Sequence, residues 1–375
     1  MPSLTGLSAS FYMFLCNIAI TGGAKLNWRI LAIPASIVPF VIMFLTTHIS
    51  PKDIFAVGLV PFVASAAAAV TRTMLQAYRF KYFIRKFIGR DISTPGKTMS
   101  ARLAGEFVTY TTPSYVGGEF VRIAWMSRNG VPAGKAAWVA TMEIIADVFA
   151  VTILAFIAGT VAIYHGGTAI GITVIAVAAP TFSFWLVLVL YSARRDLRVP
   201  AFAVLLAERF ARQKSARYIA QANQALADLC AMSRENFTSS KVVGPFMVGL
   251  GITFASFLAY GVSFMVLADA VGSGVGLFNS LMAVSASSAV ANLPITIGGS
   301  GLAELGIWAY ITNPSGIPDL GAIAEDSRLS VIIAWRIATY HVPLGIMWIA
   351  LMKLAVGKKK EGAAAVEAGG TNNNF

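Results

Sequence analysis

Residues 111–120 read Thr111-Thr112-Pro113-Ser114-Tyr115-Val116-Gly117-Gly118-Glu119-Phe120. A proline, two adjacent glycines and a carboxylate interrupt a chain that is otherwise mostly apolar. Proline lacks an N–H and clashes with the preceding turn, glycine weakens a helix, and a carboxylate is costly in hydrocarbon. Together they mark either an aqueous loop or a break in a helix held at membrane depth. The rest of the sequence decides between the two.

The surrounding chain has the composition of a membrane protein. Of its 375 residues, 57% are hydrophobic and 12% charged, and the mean hydropathy is +0.71. A soluble domain would carry about 25% charge. Six runs reach the length of about 20 residues that crosses a bilayer: about 28–48, 54–76, 136–163, 169–191, 243–268 and 329–352. We therefore expect one all-α polytopic domain over residues 1–356, with repeat 1 at about 28–191, a helical cytoplasmic connection at 192–241 and repeat 2 at about 243–356. Residues 357–375 read as a disordered tail. No basic region precedes the first apolar run, Phe11 to Ile20, so no cleaved signal peptide is expected.

The net charge of +12 sits in the connections. The stretch 76–102 holds Arg79, Lys81, Arg85, Lys86, Arg90, Lys97 and Arg102 against Asp91, and the connection 192–241 and the tail from Lys353 to Lys360 are also rich in bases. The connections near 48–53, 164–168 and 313–327 are not. Positive charge marks the cytoplasmic face and attracts anionic inner-leaflet lipid. Both termini are then cytoplasmic, and the charge needs no nucleic acid to explain it. Cys16 and Cys230 supply neither a disulfide framework nor a metal-site spacing. No G-x-S-x-G, H-E-x-x-H, Walker loop or DDxxD cluster occurs, so no catalytic residue, cofactor or metal is expected.

Two apolar stretches, about 98–127 and 277–312, are each broken in the middle. The second break reads Asn292-Leu293-Pro294-Ile295-Thr296-Ile297-Gly298-Gly299-Ser300-Gly301-Leu302-Ala303-Glu304. Both breaks run Pro, two residues, a β-branched residue, Gly-Gly, then a glutamate. The flanks of the first lie on the basic side, those of the second on the opposite side. Two re-entrant hairpins entering from opposite faces satisfy this pattern, and such Pro/Gly-interrupted pairs point to an inverted-repeat transporter with its site between them. The expected backbone breaks are Pro113, Gly117, Gly118, Pro294, Gly298, Gly299 and Gly301.

Charged residues inside the apolar runs supply the candidate substrate contacts. Glu119 and Arg122 are three apart beyond the first break and share a helix face. Glu304 opens the half-helix after the second, where the helix dipole favours an anion. Glu143 and Asp147 share a face of one span, as do Arg336 and Tyr340 in the last. Burying each ionisable group costs about 2.5–3.5 kcal/mol on the gentler insertion scale. Two explanations stand: a polar substrate path, or internal clamps pairing Glu119 with Arg122 and Asp147 with Arg336. Asp269 and His341 fall near span ends and read as interfacial.

The runs TTPSYVGGEFVRIAWMSRNGVPAGKAAWVATMEIIADV, NLPITIGGSGLAELGIWAY and AWRIATYHVPLGIMW resemble the transmembrane region of lysylphosphatidylglycerol synthase, a flippase-like domain family. The resemblance covers about residues 28–356. It implies movement of a lipid or lipid-linked anionic head group between leaflets, by a stand-alone member without a soluble synthase domain. The family's P…GE..R pattern falls on Pro113, Gly118, Glu119 and Arg122. Its later P…G…E pattern falls on Pro294, Gly298, Gly299, Gly301 and Glu304, and its arginine on Arg336. Many members carry Glu-Arg where this chain has Glu143-Ile144, which puts a charge pairing there in question. The expected role is therefore a lipid translocase in the cell membrane, with Arg122 on the head group and Glu119 and Glu304 shaping the cavity or holding a coupling cation. A lipid-modifying transferase, an ion-coupled small-solute carrier and a non-catalytic scaffold are the rivals, and homo-oligomer formation stays open.

Overall fold

The computed structural model describes residues 57–112, 117–194, 242–293, 298–312 and 323–354, with Thr296 and scattered positions between 196 and 235. The expected first span at 28–48, Pro113, Pro294 and the tail at 357–375 lie outside the described residues. Among the described residues all regular structure is helical: α1 Leu59–Ile88, α2 Pro95–Tyr110, α3 Gly118–Arg128, α4 Ala133–Tyr164, α5 Thr168–Arg194, α6 Val243–Ala270, α7 Leu277–Ala291, α8 Leu302–Ile311 and α9 Glu325–Arg336. Helix α9 continues through a π-helical turn at Ile337–His341 to Leu354. Among the described residues five helices are long and apolar enough to cross a membrane, and the chain is a multi-pass membrane protein.

Helix α1 corrects one expectation. No glycine or proline stands between Pro61 and Gly89, so nothing ends the helix at residue 76. It runs on until Gly89, whose φ of 82° and N–H bond to the Arg85 carbonyl close it in the left-handed manner. Arg79 is thereby carried inside the bundle rather than left in a basic connection. Arg102 is likewise buried, in the middle of α2.

Helices α2 and α3 form the first broken hairpin. Pro95 occupies the start of α2, where its missing N–H costs nothing. At the far end the Thr111 and Thr112 hydroxyls donate to the Phe107 and Val108 carbonyls at 2.8 and 2.9 Å, satisfying groups the helix leaves open. Gly117 then takes φ 128° and α3 begins. The two helices meet at Gly105 and Gly118. A Cβ on Gly105 would sit 2.8 Å from the Gly118 carbonyl oxygen, so only hydrogen fits there. Helices α7 and α8 repeat the device: a Cβ on Gly306 would lie 3.0 Å from Ser287 Cα, and the Ser287 hydroxyl donates to the Ala303 carbonyl at 2.7 Å.

The element order is thus long helix, broken pair, long helix in both halves, with α5 added after the first. Contacts between α1 and α6 fix their relative direction. The Ser65 hydroxyl donates to the Ser263 carbonyl, Arg72 lies over the Tyr260 ring, and Arg79 donates to Thr253 Oγ1. Advancing along α1 steps backward along α6, so the leading helices of the two halves are antiparallel. Trp335 and Phe264 fill the core beside this contact. Large apolar side chains on α5, including Phe184 and Val187, both 62% exposed, face outward, as a lipid-embedded exterior requires.

Candidate functional site

The first half of the site is a charge network built by four helices. Glu143, fully buried on α4, faces three arginines: Arg102 Nε at 3.1 Å, Arg122 Nε at 3.2 Å and Arg79 at 3.5 Å. Arg79 also grips Asp147 through two hydrogen bonds of 2.6 and 2.8 Å and donates to Thr253 at 2.5 Å. Glu106 pairs with Arg102 four residues before it and stands 3.9 Å from Arg122. Three guanidiniums therefore meet three carboxylates, and the low-dielectric interior holds a set that is neutral as a whole. Neutrality within the set is what permits it, because an unbalanced buried charge would cost several kcal/mol.

The second half reproduces this with the signs exchanged. In the first half the hairpin helix α3 carries the arginine and the following span carries the glutamate, Glu143. In the second the hairpin helix α8 carries Glu304 and the following span carries Arg336, 2.9 Å apart. Both hairpin glutamates also fold back on a glycine N–H: Glu119 accepts from Gly117 at 3.0 Å and Glu304 from Gly301 at 2.8 Å. The positive φ values of Gly117, Gly298, Gly299 and Gly301, between 58° and 128°, expose these N–H groups in a conformation that L side chains resist.

The two breaks touch. The Tyr340 hydroxyl donates to the Tyr110 carbonyl at 2.8 Å, at the end of α2, and the two rings stack 5.4 Å apart with 2° between their planes. Gly298 lies against the same point, so that a Cβ there would fall 2.7 Å from the Tyr110 oxygen. Arg336 donates to the Gly298 carbonyl at 2.5 Å and lies 4.2 Å over the Tyr340 ring.

Around this contact opens a cavity of about 300 Å³. Of the predicted residues it is lined by Glu119, Arg122, Asp147, Arg336 and Tyr340. Glu143 and Glu304 stand behind the lining and hold its arginines. Val148, Val151, Trp185 and Phe257 are apolar members of the lining. The lining therefore combines charged groups from both halves with apolar side chains.

Several expectations change. The clamps are not Glu119 with Arg122 or Asp147 with Arg336: Arg122 holds Glu143, Asp147 holds Arg79, and Arg336 holds Glu304. Glu119 and Arg122 share a helix, but the glutamate turns back to its own N-terminus, where the N–H groups point. Glu143 is paired even though Ile144 follows it, because arginines reach it from α1, α2 and α3. His341 lies in the π-turn within the last helix rather than near its end; Asp269 is exposed in the last turn of α6, as expected.

Sequence reasoning missed Arg72, Gln76, Arg79, Arg102 and Glu106. The signal was present in spacing. Arg72, Gln76 and Arg79 recur at four and three residues, one face of a helix, and Arg102 and Glu106 form an i, i+4 pair. Counting Arg79 and Arg102 as connection charges hid both patterns.

Residues 31–346 match the family described as Lysylphosphatidylglycerol synthase TM region. The chain belongs to this family. No curated protein matches the chain. Membership in the lysylphosphatidylglycerol synthase TM region family makes the chain a membrane protein related to lipid modification or translocation, and its charge network and joined breaks lie within the matched residues.

Proposed function

We propose that this protein translocates a lipid or lipid-linked anionic head group between leaflets of the cell membrane. One observation carries the reading: both broken hairpins contribute to a single cavity lined by both charged and apolar side chains. A lipid presents the same two chemistries, a polar head and a hydrocarbon tail. Arginines on the cavity wall meet the head group, since an anion leaving water needs fixed cations. The paired carboxylates keep those arginines neutralised while the site is empty.

The antiparallel α1 and α6 support an inverted repeat in which the hairpins enter from opposite faces. Opening of one hairpin and then the other around the Tyr110–Tyr340 contact would expose the cavity to each leaflet in turn. Lys81, Arg85 and Lys86 in the last turns of α1, and Arg90 just beyond it, support a cytoplasmic position for that end, contact with anionic inner-leaflet lipid, and cytoplasmic termini.

The test is reconstitution into vesicles carrying a trace of fluorescent anionic or polyprenyl-linked lipid, with a membrane-impermeant quencher reading leaflet exchange. Faster exchange than in protein-free vesicles supports the reading. Rates equal to protein-free vesicles across a panel of anionic lipids overturn it. A stable covalent change in the lipid, seen by mass spectrometry of the same vesicles, would assign the protein to lipid modification instead.

A further inference from the structure

Among the described residues, every carboxylate in or behind the cavity wall but one is held by an arginine. Glu106, Glu143 and Asp147 belong to the set with Arg79, Arg102 and Arg122, and Glu304 belongs to Arg336. Each set is neutral. Glu119 lines the same cavity, half-buried, and stands in neither set. Its Oε2 accepts from the Gly117 N–H at 3.0 Å, and no arginine or lysine among the described residues pairs with it. The counterpart in the other half shows the difference. Glu304 folds back on Gly301 in the same way, yet Arg336 Nε also lies 2.9 Å from its Oε1.

The charged and titratable neighbours of Glu119 are committed elsewhere. Helix α3 packs chiefly on α2 and α4. On its own helix Arg122 turns to Glu143. On α2, Arg102 and Glu106 pair with each other and Tyr110 stacks on Tyr340; on α4, Glu143 and Asp147 hold arginines. Across the cavity Arg72 lies over the Tyr260 ring, Arg336 holds Glu304, and Tyr340 donates to the Tyr110 carbonyl.

Protonation therefore has unequal consequences. A proton on Glu106, Glu143, Asp147 or Glu304 breaks an ion pair and leaves a buried guanidinium unanswered. A proton on Glu119 breaks none. It weakens only the charge-assisted bond to Gly117, the glycine whose φ of 128° precedes α3 at the first break. An anionic head group entering among ion pairs that are already balanced adds a negative charge in low dielectric, and a proton on Glu119 offsets it. A proton also suits the place better than a metal ion, which takes several converging oxygens. No group of three His, Cys, Asp or Glu that could hold one occurs among the described residues.

We propose that Glu119 is the coupling site, taking up a proton as the anionic head group enters and releasing it on the far side, so that the two cross as a neutral pair. The proton comes from water at one face and returns to water at the other, with no other bond made or broken. Loosening of the Gly117 bond ties the same event to opening of the first hairpin. The inference rests on the lipid-translocation reading for what the proton travels with.

Full-length protein is placed in vesicles of a zwitterionic lipid with a trace of tail-labelled fluorescent phosphatidylglycerol. A pH step is imposed across the membrane, the potential is held at zero with potassium and valinomycin, and an impermeant quencher reads the leaflet distribution. Each variant is first checked by size-exclusion profile and melting temperature. The wild type is expected to gather the label in the leaflet facing the alkaline side, toward about tenfold for a step of one pH unit, and faster than protein-free vesicles do. Glu119→Gln, a permanently neutral side chain, abolishes this accumulation, and Glu119→Asp retains it. A merely structural role for Glu119 would slow exchange without making it indifferent to the pH step. A silent Glu119→Gln beside a responsive Glu119→Asp also sustains the site, since an acid is then required there. Exchange by the wild type that ignores the pH step overturns the coupling and leaves the translocation reading standing. A folded Glu119→Gln protein that still follows the step overturns the site, and so does silence of both variants. Accumulation driven by a sodium gradient but not by the pH step overturns the proton. Absence of exchange by the wild type overturns the lipid reading and the coupling with it.

Discussion

Replacing Glu143 by glutamine is the sharpest perturbation of the charge network. The carboxylate lies within 3.1, 3.2 and 3.5 Å of three arginines and is fully buried. Glutamine keeps the volume and an acceptor oxygen but removes the charge, leaving three arginines against Glu106 and Asp147. One uncompensated cation then remains in the low-dielectric interior. Removing one partner of a buried pair costs about 3–5 kcal/mol, which corresponds to a fall in melting temperature on the order of 5–10 °C. Restoring neutrality should restore stability: Glu143→Gln combined with Arg122→Gln is expected to recover at least half of the loss, a coupling of about 2 kcal/mol. Combining Glu143→Gln with Glu119→Gln should recover nothing, because Glu119 binds the Gly117 N–H rather than joining the network. Intrinsic tryptophan fluorescence during heating of the detergent-solubilised protein measures all of these variants. A Glu143→Gln protein that melts with the wild type would refute the network, and so would a double variant less stable than Glu143→Gln alone.

The break glycines make a second prediction. Gly118→Ala drives a methyl into the Thr109 hydroxyl and the Gly105 carbonyl, and should cost about 1–3 kcal/mol as overpacking; a melting curve unchanged from wild type would mean the helices separate freely there. Gly118→Leu and Gly299→Leu should each abolish leaflet exchange while the protein still inserts, and normal exchange by both would remove the breaks from the mechanism. Tyr340→Phe removes the hydrogen bond to the Tyr110 carbonyl and should cost about 0.5–1.5 kcal/mol while altering the exchange rate; an unchanged rate would make that contact purely structural. For orientation, a cysteine replacing Tyr164 in a background lacking Cys16 and Cys230 should react with an impermeant reagent from outside intact cells, and one replacing Arg90 should not. Labelling at 90 in preference to 164 would invert the topology.

Local chemistry made the helical membrane class, four of the long helices and both hairpins legible from sequence. Apolar run length, and proline and glycine between such runs, act on the backbone without help from distant residues. The hairpin glutamates belong to the same group, because a carboxylate at a helix start is drawn to N–H groups within two or three residues of it. The extent of α1 was also written locally, in the absence of a breaker before Gly89, but basic side chains there resembled a cytoplasmic connection. Whether Arg79 and Arg102 faced water or Glu143 depended on which helices came to lie beside them. That is a tertiary fact: a charge enters the interior only where opposite charges from other helices cancel it, and the chain separates Arg79 from Asp147 by 68 residues. The same holds for the contact that joins the two breaks. Tyr340 reaches the Tyr110 carbonyl across 230 residues, and no periodicity or propensity records a partner at that distance. The sequence by itself determined where the helices break and which charges must be answered; the packing of α1 to α4 and of α8 on α9 decided which residue answers each, because electrostatic pairing depends on distance in space and not along the chain.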